Sequence, residues 1–542
     1  MSKVVFIADF FVEQILGGGE LNNEELISLL ASTGYHVEKI NSFQVNTHFL
    51  EKHGNCFYIV SNFVNLHYDC REWLIEKGSY LIYEHDHKYL RFRNPAKYRD
   101  FKAPFHDIRN YFFYKNAKAI LCQSKFHKDI VYKNLELDNI TSVGGNLWTM
   151  STLNKLKQFS KKEKQPRCSI MDSPISHKNT DKSVNFCRKN NLEYELVKDE
   201  NYVKFLDKLS NNQKLVFFPG TPETLSRVVC EARMMGMSVI ANELIGACHE
   251  DWFNLKGEEL VDYMINKREE IVKVVAGVID QERSVTKTPV ISILTTFYEG
   301  EKFLEGFLKN IVEQSIFDKC ELVLIDTASP GKEAEIVKKF TRKHKNIKYI
   351  RFEERYSPSK GTTHALRFSS GKYLNFACID DIKSTDSLEK LLEAIEENPH
   401  VDLVYGDVYQ TDKPNETFEK NSSGNIRFPH SCYNFSKEDM VKCLPGPMPL
   451  WKRTLHEKNG FFIDNEEHGA AANDWEMWLR CVNTGSKFKK IDKVVGLYLT
   501  GGRSQQENNL AQRQKEAQIF FKYSHLFGYN FNRYEAYFKQ FI

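Results

Sequence analysis

The sequence predicts an α/β protein of several domains built on mostly parallel sheets, and three observations carry this prediction. Short apolar runs alternate with segments of helical periodicity, which is the pattern of doubly wound parallel sheets. Several of these runs end in acidic, hydroxyl or glycine residues, and open α/β sheets bind ligands at the carboxyl ends of their strands. The chain of 542 residues is also too long for one hydrophobic core.

Composition and charge exclude several classes of protein. Hydrophobic residues make up 41% and charged residues 27% of the chain, as in ordinary globular proteins. A formal net charge of +3 argues against a dedicated nucleic-acid binder. We expect no transmembrane segment, because no apolar run approaches the length of a span, and the first apolar run breaks at Asp9, unlike a signal peptide. Twelve scattered cysteines favour reduced thiols and a cytoplasmic location.

The first 160 residues are predicted to form a nucleotide-binding lobe. An apolar strand at 4–8 is followed by the glycine triplet 17–19 and an amphipathic helix, and such a loop lets backbone amides approach a ligand. Gly18 and Gly19 are therefore candidate binding residues, with a plain flexible loop as the alternative. His85 and Asp86 end a later strand and are candidates to act on an acceptor hydroxyl.

Basic and aromatic residues are interleaved between 89 and 118. Such a mixture can bind nucleic acid or an anionic polymer, and a solvated helix with an aromatic inner face gives the same pattern. Nucleic acid therefore stays open as a partner without being favoured.

A second α/β lobe is predicted over residues 161–285, after a lysine-rich stretch at 155–167 that we interpret as a linker. Its strand at 215–218 leads into a segment where Glu223 and Glu231 are eight residues apart. This spacing would place both carboxylates on nearly one face of a helix. The start of that helix favours a phosphate, and the carboxylates can hold sugar or ribose hydroxyls.

Residues 219–242 resemble the donor-binding signature of the retaining GT-B glycosyltransferases of family 4, and the glycine triplet resembles the loop of their N-terminal lobe. The resemblance implies a GT-B fold of two Rossmann-like lobes. It makes Lys178 the residue that meets the donor diphosphate, Glu223 a sugar contact and Glu231 a ribose contact. Met237 stands where the family has proline, and a lobe that keeps the fold without turnover is the alternative.

The second half, after a polar linker at 281–287, again alternates strands and helices. Its strands end on Thr296, on Asp326 and, after the run 374–379, on the adjacent pair Asp380 and Asp381. Two neighbouring carboxylates are unfavourable without a cation nearby. They indicate either a divalent ion that carries a diphosphate or a solvated acidic turn.

This half is similar to the GT-A fold of family 2 glycosyltransferases. By that resemblance Thr296 and Asp326 contact the nucleoside, while Asp380, with Asp381 beside it, binds Mn or Mg at the diphosphate. Cys378 replaces the first acid of the family's Asp-x-Asp motif, and a thiol is a poor ligand for a hard cation.

Asp474 begins a segment with tryptophans at helical spacing. A carboxylate there either stabilises the helix dipole or acts as a base. Where family 2 has Glu-Asp, this chain has Asn473 and Asp474, and the resemblance makes Asp474 the general base for the acceptor hydroxyl. Arg503 is a weaker candidate for a diphosphate contact.

The sequence thus predicts a bifunctional glycosyltransferase of polysaccharide biosynthesis, inverting and metal-dependent in its second half and retaining-like in its first. Its partners would be nucleotide-sugar donors and a glycan or other hydroxyl acceptor, with the oligomeric state left open. In the alternative, only the C-terminal half is catalytic, and the N-terminal half binds the acceptor, including a nucleic acid or an anionic polymer. The predicted segments are a GT-B N-terminal lobe (1–160), a donor-binding lobe (161–285), a GT-A domain (286–515) and an aromatic tail (516–542).

Overall fold

The computed structural model describes residues 3–280, 289–464, 472–501 and 510–542. The predicted linker at 281–287 and Arg503 lie outside these residues. The chain divides into two compact units, one of Met1–Pro104 with Ile108–Ser284 and one of Phe105–Asp107 with Val285–Ile542. Both are α/β, and most of their strand pairs are parallel, so the predicted fold class is confirmed at this level.

The first unit begins with a six-stranded parallel sheet in the order β2-β1-β3-β4-β5-β6. Its central strands are mostly apolar and are buried along nearly their whole length, because helices cover both faces of the sheet. The strands are β1 (Lys3–Ala8), β2 (His36–Asn41), β3 (Phe57–Val60), β4 (Ser79–Glu84), β5 (Ile120–Cys122) and β6 (Ile140–Ser142). The helices are α1 (Gly18–Ser32), α2 (Thr47–Lys52), α3 (Tyr68–Lys77), α4 (Tyr111–Asn116), α5 (Lys125–Leu135) and α6 (Met150–Ser160).

A second parallel sheet, of four strands in the order β10-β9-β7-β8, completes this unit. Its strands are β7 (Gln165–Met171), β8 (Tyr194–Val197), β9 (Asn212–Phe217) and β10 (Ser238–Ala241). Its helices are α7 (Thr180–Lys189), α8 (Tyr202–Leu209), α9 (Arg227–Met234) and α10 (Glu258–Ile279). Helix α10 joins the two cores, because Leu260 and Met264 pack with the second sheet and Ile271 and Val275 pack with the first.

The lysine-rich stretch at 155–167 is not a linker. Most of it belongs to the end of α6 and the start of β7. Leu153 and Leu156 anchor α6 in the core, and the lysines lie on its other side. The burial of two leucines three residues apart therefore makes the start of this stretch helical, despite its polar composition.

The second unit is built on an eight-stranded sheet in the order β13-β12-β11-β14-β17-β16-β18-β15. Strand β17 runs antiparallel to both of its neighbours, and β15 runs antiparallel to β18. The strands are β11 (Ile291–Phe297), β12 (Cys320–Thr327), β13 (Ile347–Phe352), β14 (Tyr373–Phe376), β15 (Ile382–Lys383), β16 (Leu403–Thr411), β17 (Leu450–Lys452) and β18 (Phe488–Leu499).

The helices of this unit cover the sheet and carry the C-terminal segment. They are α11 (Glu301–Val312), α12 (Glu333–Thr341), α13 (Pro358–Phe368), α14 (Ser387–Glu396), α15 (Thr454–Asn459), α16 (Asn473–Asn483), α17 (Leu510–Lys522) and α18 (Tyr529–Lys539). The aromatic tail packs on this unit: Phe538 stacks on Phe520 at 4.4 Å and lies 6.3 Å from Trp475 of α16. Among the described residues, no helix combines the length and apolar composition of a membrane span.

His456 of α15 is a neutral imidazole locked in the core of the second unit. The indole Nε1 of Trp451 can only donate, so Nε2 of His456 accepts its hydrogen bond at 3.0 Å. The other ring nitrogen, Nδ1, therefore donates to the carbonyl of Gly460 at 3.0 Å. Burial lowers the pKa of His456 to about 3.

We expect this imidazole to make the second unit acid-sensitive. Between pH 6.5 and 3 the unfolded chain binds a proton that the folded protein does not, so stability is complete above this window and falls as the pH decreases through it. At pH 4.5 the loss amounts to about 3 kcal/mol. Denaturant unfolding of wild type and of His456→Gln at pH 7 and pH 4.5 measures it. A shallower pH dependence in the variant is expected, and parallel curves would contradict the assignment.

Candidate active site

The first unit contains a cleft of about 760 Å³ between its two sheets. The glycine triplet, His85, Lys178, Arg227 and the two predicted glutamates all line this cleft. A Cβ at Gly18 would lie 3.1 Å from Cδ of Arg227, so any larger residue there would have to shift this arginine side chain. The structure thus brings together all the residues predicted for donor binding in this half.

Glu223 does not lie on a helix with Glu231, contrary to the expectation from their spacing. Helix α9 begins only at Arg227, because Ser226 adopts a φ of 75° that ends any earlier helical turn. Glu223 instead lies in the preceding loop, where both of its oxygens accept hydrogen bonds from Nζ of Lys178, at 2.8 and 3.0 Å. The two residues therefore form an ion pair across the cleft.

Glu231 is almost fully buried. Its carboxylate accepts hydrogen bonds from Nε1 of Trp148 at 2.9 Å and from the hydroxyl of Tyr202. Nε of Arg227 lies 3.5 Å from the same carboxylate. All three contacts involve Oε1, so a ribose contact by Glu231 would use Oε2.

Arg227 is a cleft residue that the sequence reasoning missed. Its guanidinium lies 4.5 Å from the ring centroid of Trp148, and Nη1 donates to the carbonyl of Leu147 at 2.7 Å. The available signal was an arginine between Glu223 and Glu231. The Glu-x7-Glu motif does not specify the residues between its two glutamates. Arg227 supplies a second cation beside Lys178.

His85 also lines the cleft, but both of its ring nitrogens have partners. Nε2 contacts Oδ1 of Asn23 at 2.7 Å, and Nδ1 pairs with the amide of Gln123. Burial lowers the pKa of His85 to about 3, so the ring is neutral. Asp86 is paired with Arg93, which leaves neither residue poised as a base.

The aromatic residues between 89 and 118 serve mainly the core. Tyr89, Tyr111 and Phe112 are buried. The segment is mostly loops and single turns, with a six-residue helix, α4. Buried rings cannot stack on bases, which removes much of the basis for a nucleic-acid surface here.

In the second unit, the carboxyl ends of β11, β12 and β14 meet at one edge of the sheet. Phe297 is in register with Asp326 of β12, and β14 pairs with β11 on its other side. The hydroxyl of Thr295 donates to the carbonyl of Ala377 at 2.8 Å. This bond ties the start of the acidic loop to β11, next to the point where β14 ends.

The side chains of Cys378, Asp380 and Asp381 converge in this loop. Their ligand atoms lie within 4.8 Å of one another. Asp381 is buried, with Oδ1 accepting from the backbone N–H of Leu499 at 3.2 Å and Oδ2 lacking a partner. Burial raises the pKa of Asp380, and burial together with the charge of Asp380 raises that of Asp381 well above its usual range. Two unfavourably placed carboxylates, one with an orphaned oxygen, fit a divalent cation.

Lys383 of β15 is a neighbour that the sequence analysis did not single out. It is buried behind the acidic loop, and Nζ donates to the carbonyl of Phe376 at 2.9 Å. Burial lowers its pKa to about 8, although the charge of Asp381 opposes the shift. A lysine two residues after the acidic pair was the available signal.

Asp326 is fully buried and serves as a structural anchor at this edge. It accepts hydrogen bonds from the backbone N–H of Ser329 at 2.8 Å, from the hydroxyl of Tyr349 at 2.6 Å and from Nη1 of Arg351 at 3.1 Å. Thr296 is half-buried, and the backbone of α13 packs against it at Gly361.

Asp474 lies exposed in the first turn of α16. Oδ1 accepts from the backbone N–H of Trp475 at 2.8 Å, and Oδ2 contacts Sγ of Cys443 at 3.7 Å. Burial, the charges of Asp381 and Asp380 and, least of all, the charge of Asp474 raise the pKa of the Cys378 thiol well above its usual range. That Asp474 shares one site with the acidic loop remains a prediction.

The neighbouring side chain of Asn473 forms its hydrogen bonds in the interior, away from solvent. It is buried, donates to the hydroxyl of Ser359 in α13 and accepts from Nζ of Lys515 in α17. The position that holds a glutamate in the family motif here fastens three helices together.

Residues 292–460 match the family model described as glycosyl transferase family 2. Over these residues the chain is similar to the family 2 glycosyltransferases. The match and the glycosyltransferase names of the relatives confirm that the protein is a transferase. The matched segment includes Thr296, Asp326 and the acidic loop, and Asp474 lies beyond its end. The roles of these individual residues remain predictions.

Related proteins match parts of the chain. An uncharacterized glycosyltransferase of Methanocaldococcus jannaschii is 24% identical over 237 residues, which is 44% of this chain and 78% of that protein. The minor teichoic acid biosynthesis protein GgaB of Bacillus subtilis is 24% identical over 165 residues, 28% of this chain and 18% of its own length. The crystal structure of S. aureus TarS 1-349 in complex with UDP-GlcNAc overlays with a TM-score of 0.36 at 16% identity, covering 43% of this chain and 66% of that one.

Proposed function

We propose that the second unit transfers a sugar from a nucleotide-sugar donor to a hydroxyl acceptor, with inversion at the anomeric carbon. One observation carries the proposal: Cys378, Asp380 and Asp381 converge at the carboxyl edge of the sheet with the Asp474 carboxylate nearby, within or just beyond the segment that is similar to family 2. A cation site next to an exposed carboxylate is what such a displacement requires.

The donor would lie along the carboxyl edge of the sheet. Thr296 and Asp326 are the proposed nucleoside contacts, and Asp326 would exchange Tyr349 or Arg351 for the base. Asp380 and Asp381 would hold Mn²⁺ or Mg²⁺. When bound, that ion neutralises the negative charge that develops on the leaving nucleoside diphosphate.

Asp474 supplies the base. The backbone N–H of Trp475 holds Oδ1, and Oδ2 would exchange its contact with the thiol of Cys443 for the acceptor hydroxyl and accept its proton. As that proton moves to Oδ2, the acceptor oxygen forms its bond to the anomeric carbon and the bond from that carbon to the diphosphate oxygen breaks. A single displacement of this kind inverts the configuration.

The acceptor class proposed is a growing cell-surface polysaccharide or a polymer of the teichoic acid type. The support is the GgaB relative, which is named for minor teichoic acid biosynthesis. Polymer hydroxyls also suit an exposed base such as Asp474, because a large acceptor needs an open approach.

For the first unit we propose a GT-B fold that binds a second donor in a retaining-like manner. Gly18 and Gly19 would approach the diphosphate with Lys178, Glu223 would contact the sugar and Glu231 the ribose. The convergence of these residues in one cleft supports this role. The second candidate, an acceptor-binding module without turnover, is favoured by the internal pairing of Lys178, Glu223 and Glu231.

Two variants around the Glu231 carboxylate separate these candidates. If Glu231 contacts ribose, Glu231→Gln weakens nucleotide-sugar binding to the first unit by about tenfold or more, whereas Tyr202→Phe removes only one donor to Oε1, keeps the carboxylate charge and leaves binding unchanged or tighter. Isothermal titration in an Asp380→Asn background, which suppresses the second site, measures both. Equal, small effects of the two variants would exclude the ribose role and leave the acceptor-binding module.

A thermal-shift panel of UDP-, GDP-, CMP- and dTDP-sugars with Mn²⁺, followed by assay of nucleoside diphosphate release, tests the function as a whole. We expect one nucleotide class to raise the Tm and to be turned over. If none is bound or hydrolysed while an anionic polymer binds in a salt-sensitive way, the polymer-binding interpretation replaces the transferase mechanism proposed here.

A further inference from the structure

The acidic loop of the second unit offers a donor set that differs from an all-oxygen site. Its ligand atoms are one thiol sulfur and two carboxylate oxygens, all within 4.8 Å of one another. Cys378 is exposed and Asp381 is buried, so the cluster extends from the surface of the second unit into its interior. Oδ2 of Asp381 has no hydrogen-bond partner, which is an independent sign that a ligand belongs there.

The chemistry of these three donors sets a preference among cations. Mg²⁺ prefers six oxygen ligands in near-ideal octahedral geometry. Thiolate sulfur favours softer or borderline ions, and affinity for mixed sites rises from Mn²⁺ towards Co²⁺ and Zn²⁺. A thiol in the place of a carboxylate therefore penalises Mg²⁺ more than it penalises a borderline ion.

We infer that Cys378 is a metal ligand and that it tunes this site towards borderline divalent cations such as Co²⁺ and Zn²⁺ and against Mg²⁺. The inference rests on the proposed function, since the same ion would meet the donor diphosphate. Binding exchanges a proton for the ion: the S–H bond of Cys378 breaks, the sulfur–metal bond forms and the proton passes to the buffer. Metal binding is therefore tighter at higher pH.

Titration of the whole protein with Co²⁺, without any nucleotide sugar, tests the ligand assignment. Wild type should develop a near-ultraviolet thiolate-to-cobalt charge-transfer band. Cys378→Ser should lose this band, and the matched control Cys432→Ser, which removes a thiol outside the cluster, should keep it. A wild type without the band, or a Cys378→Ser variant that retains it, overturns the inference.

A measurement on unmodified protein guards against a variant that fails to fold. Saturating Co²⁺ should protect Cys378 from alkylation, mapped by peptide mass spectrometry, and should leave Cys432 reactive. Equal alkylation of Cys378 with and without Co²⁺ overturns the inference.

The predicted selectivity is tested by Mg²⁺ competition. Cys378→Asp restores an oxygen ligand, so Mg²⁺ affinity should rise by about tenfold or more while Co²⁺ affinity falls. Unchanged Mg²⁺ affinity overturns the selectivity. A cobalt band without turnover of any nucleotide sugar would instead sink the proposed function and leave the metal ligand standing, and turnover without a band would do the reverse.

Discussion

Replacement of Asp474 by asparagine should lower kcat by about 10²- to 10⁴-fold, because the acceptor hydroxyl loses its proton acceptor. The KM for the donor should change little, since Asp474 contacts no donor-binding residue directly. Asparagine keeps an oxygen for the backbone N–H of Trp475, so the start of α16 stays intact. Steady-state kinetics with saturating Mn²⁺ measure the effect.

A matched control separates chemistry from helix electrostatics. Glu335 is another exposed carboxylate in the first turn of a helix of the same unit, α12. Loss of such a charge costs under about 1 kcal/mol, so Glu335→Gln and Asp474→Asn should have nearly equal Tm values and very different kcat values. An Asp474→Asn enzyme within threefold of wild type would rule out the general-base role.

Replacement of Asp380 by asparagine should lower kcat/KM by about 10²-fold or more at fixed Mn²⁺ concentration, because a neutral amide no longer balances the cation. Part of the loss should be recovered at high Mn²⁺, since Cys378 and Asp381 remain. Asp380 is only half-buried, and burial raises its pKa, so its neutralisation should not destabilise the fold. Activity as a function of Mn²⁺ concentration measures both parts.

The exposed Asp412, in the loop after β16, provides the control for a simple change of net charge. Asp412→Asn should leave the Mn²⁺ dependence unaltered. If Asp380→Asn shows the same Mn²⁺ dependence as wild type, the cation does not bind at this loop.

The strands and the edge where they end were predictable from local pattern. Runs such as 291–297 and 320–327 are mostly apolar and almost wholly buried because the sheet is covered on both faces, and parallel strands bring their carboxyl ends together. The apolar run at 374–379 predicts one strand, whereas β14 stops at Phe376. The next residue, Ala377, accepts a hydrogen bond from Thr295, a distant partner for which the local pattern carries no signal.

The sequence could not predict side-chain contacts that depend on strand register or on the pairing of segments distant in the chain. Arg351 reaches Asp326 because β12 and β13 place the two residues side by side, and no motif spacing encodes that pairing. Glu223 and Glu231 both line the cleft, although helix α9 begins only at Arg227, after Glu223. The short strands β15 and β17 carry too few residues for a periodic signal, yet β15 holds Lys383 behind the acidic loop.

The anomeric configuration of the first sugar released from an α-linked nucleotide sugar tests the central claim most directly. Hydrolysis by the Glu231→Gln protein, followed by proton NMR before the sugar mutarotates, reduces the contribution of the first unit. A single displacement dependent on Asp474 predicts initial release of the β anomer, and release slower by about 10²-fold or more in the Glu231→Gln, Asp474→Asn double variant. Initial release of the α anomer, or a double variant that releases sugar within threefold of the Glu231→Gln rate, would contradict the account.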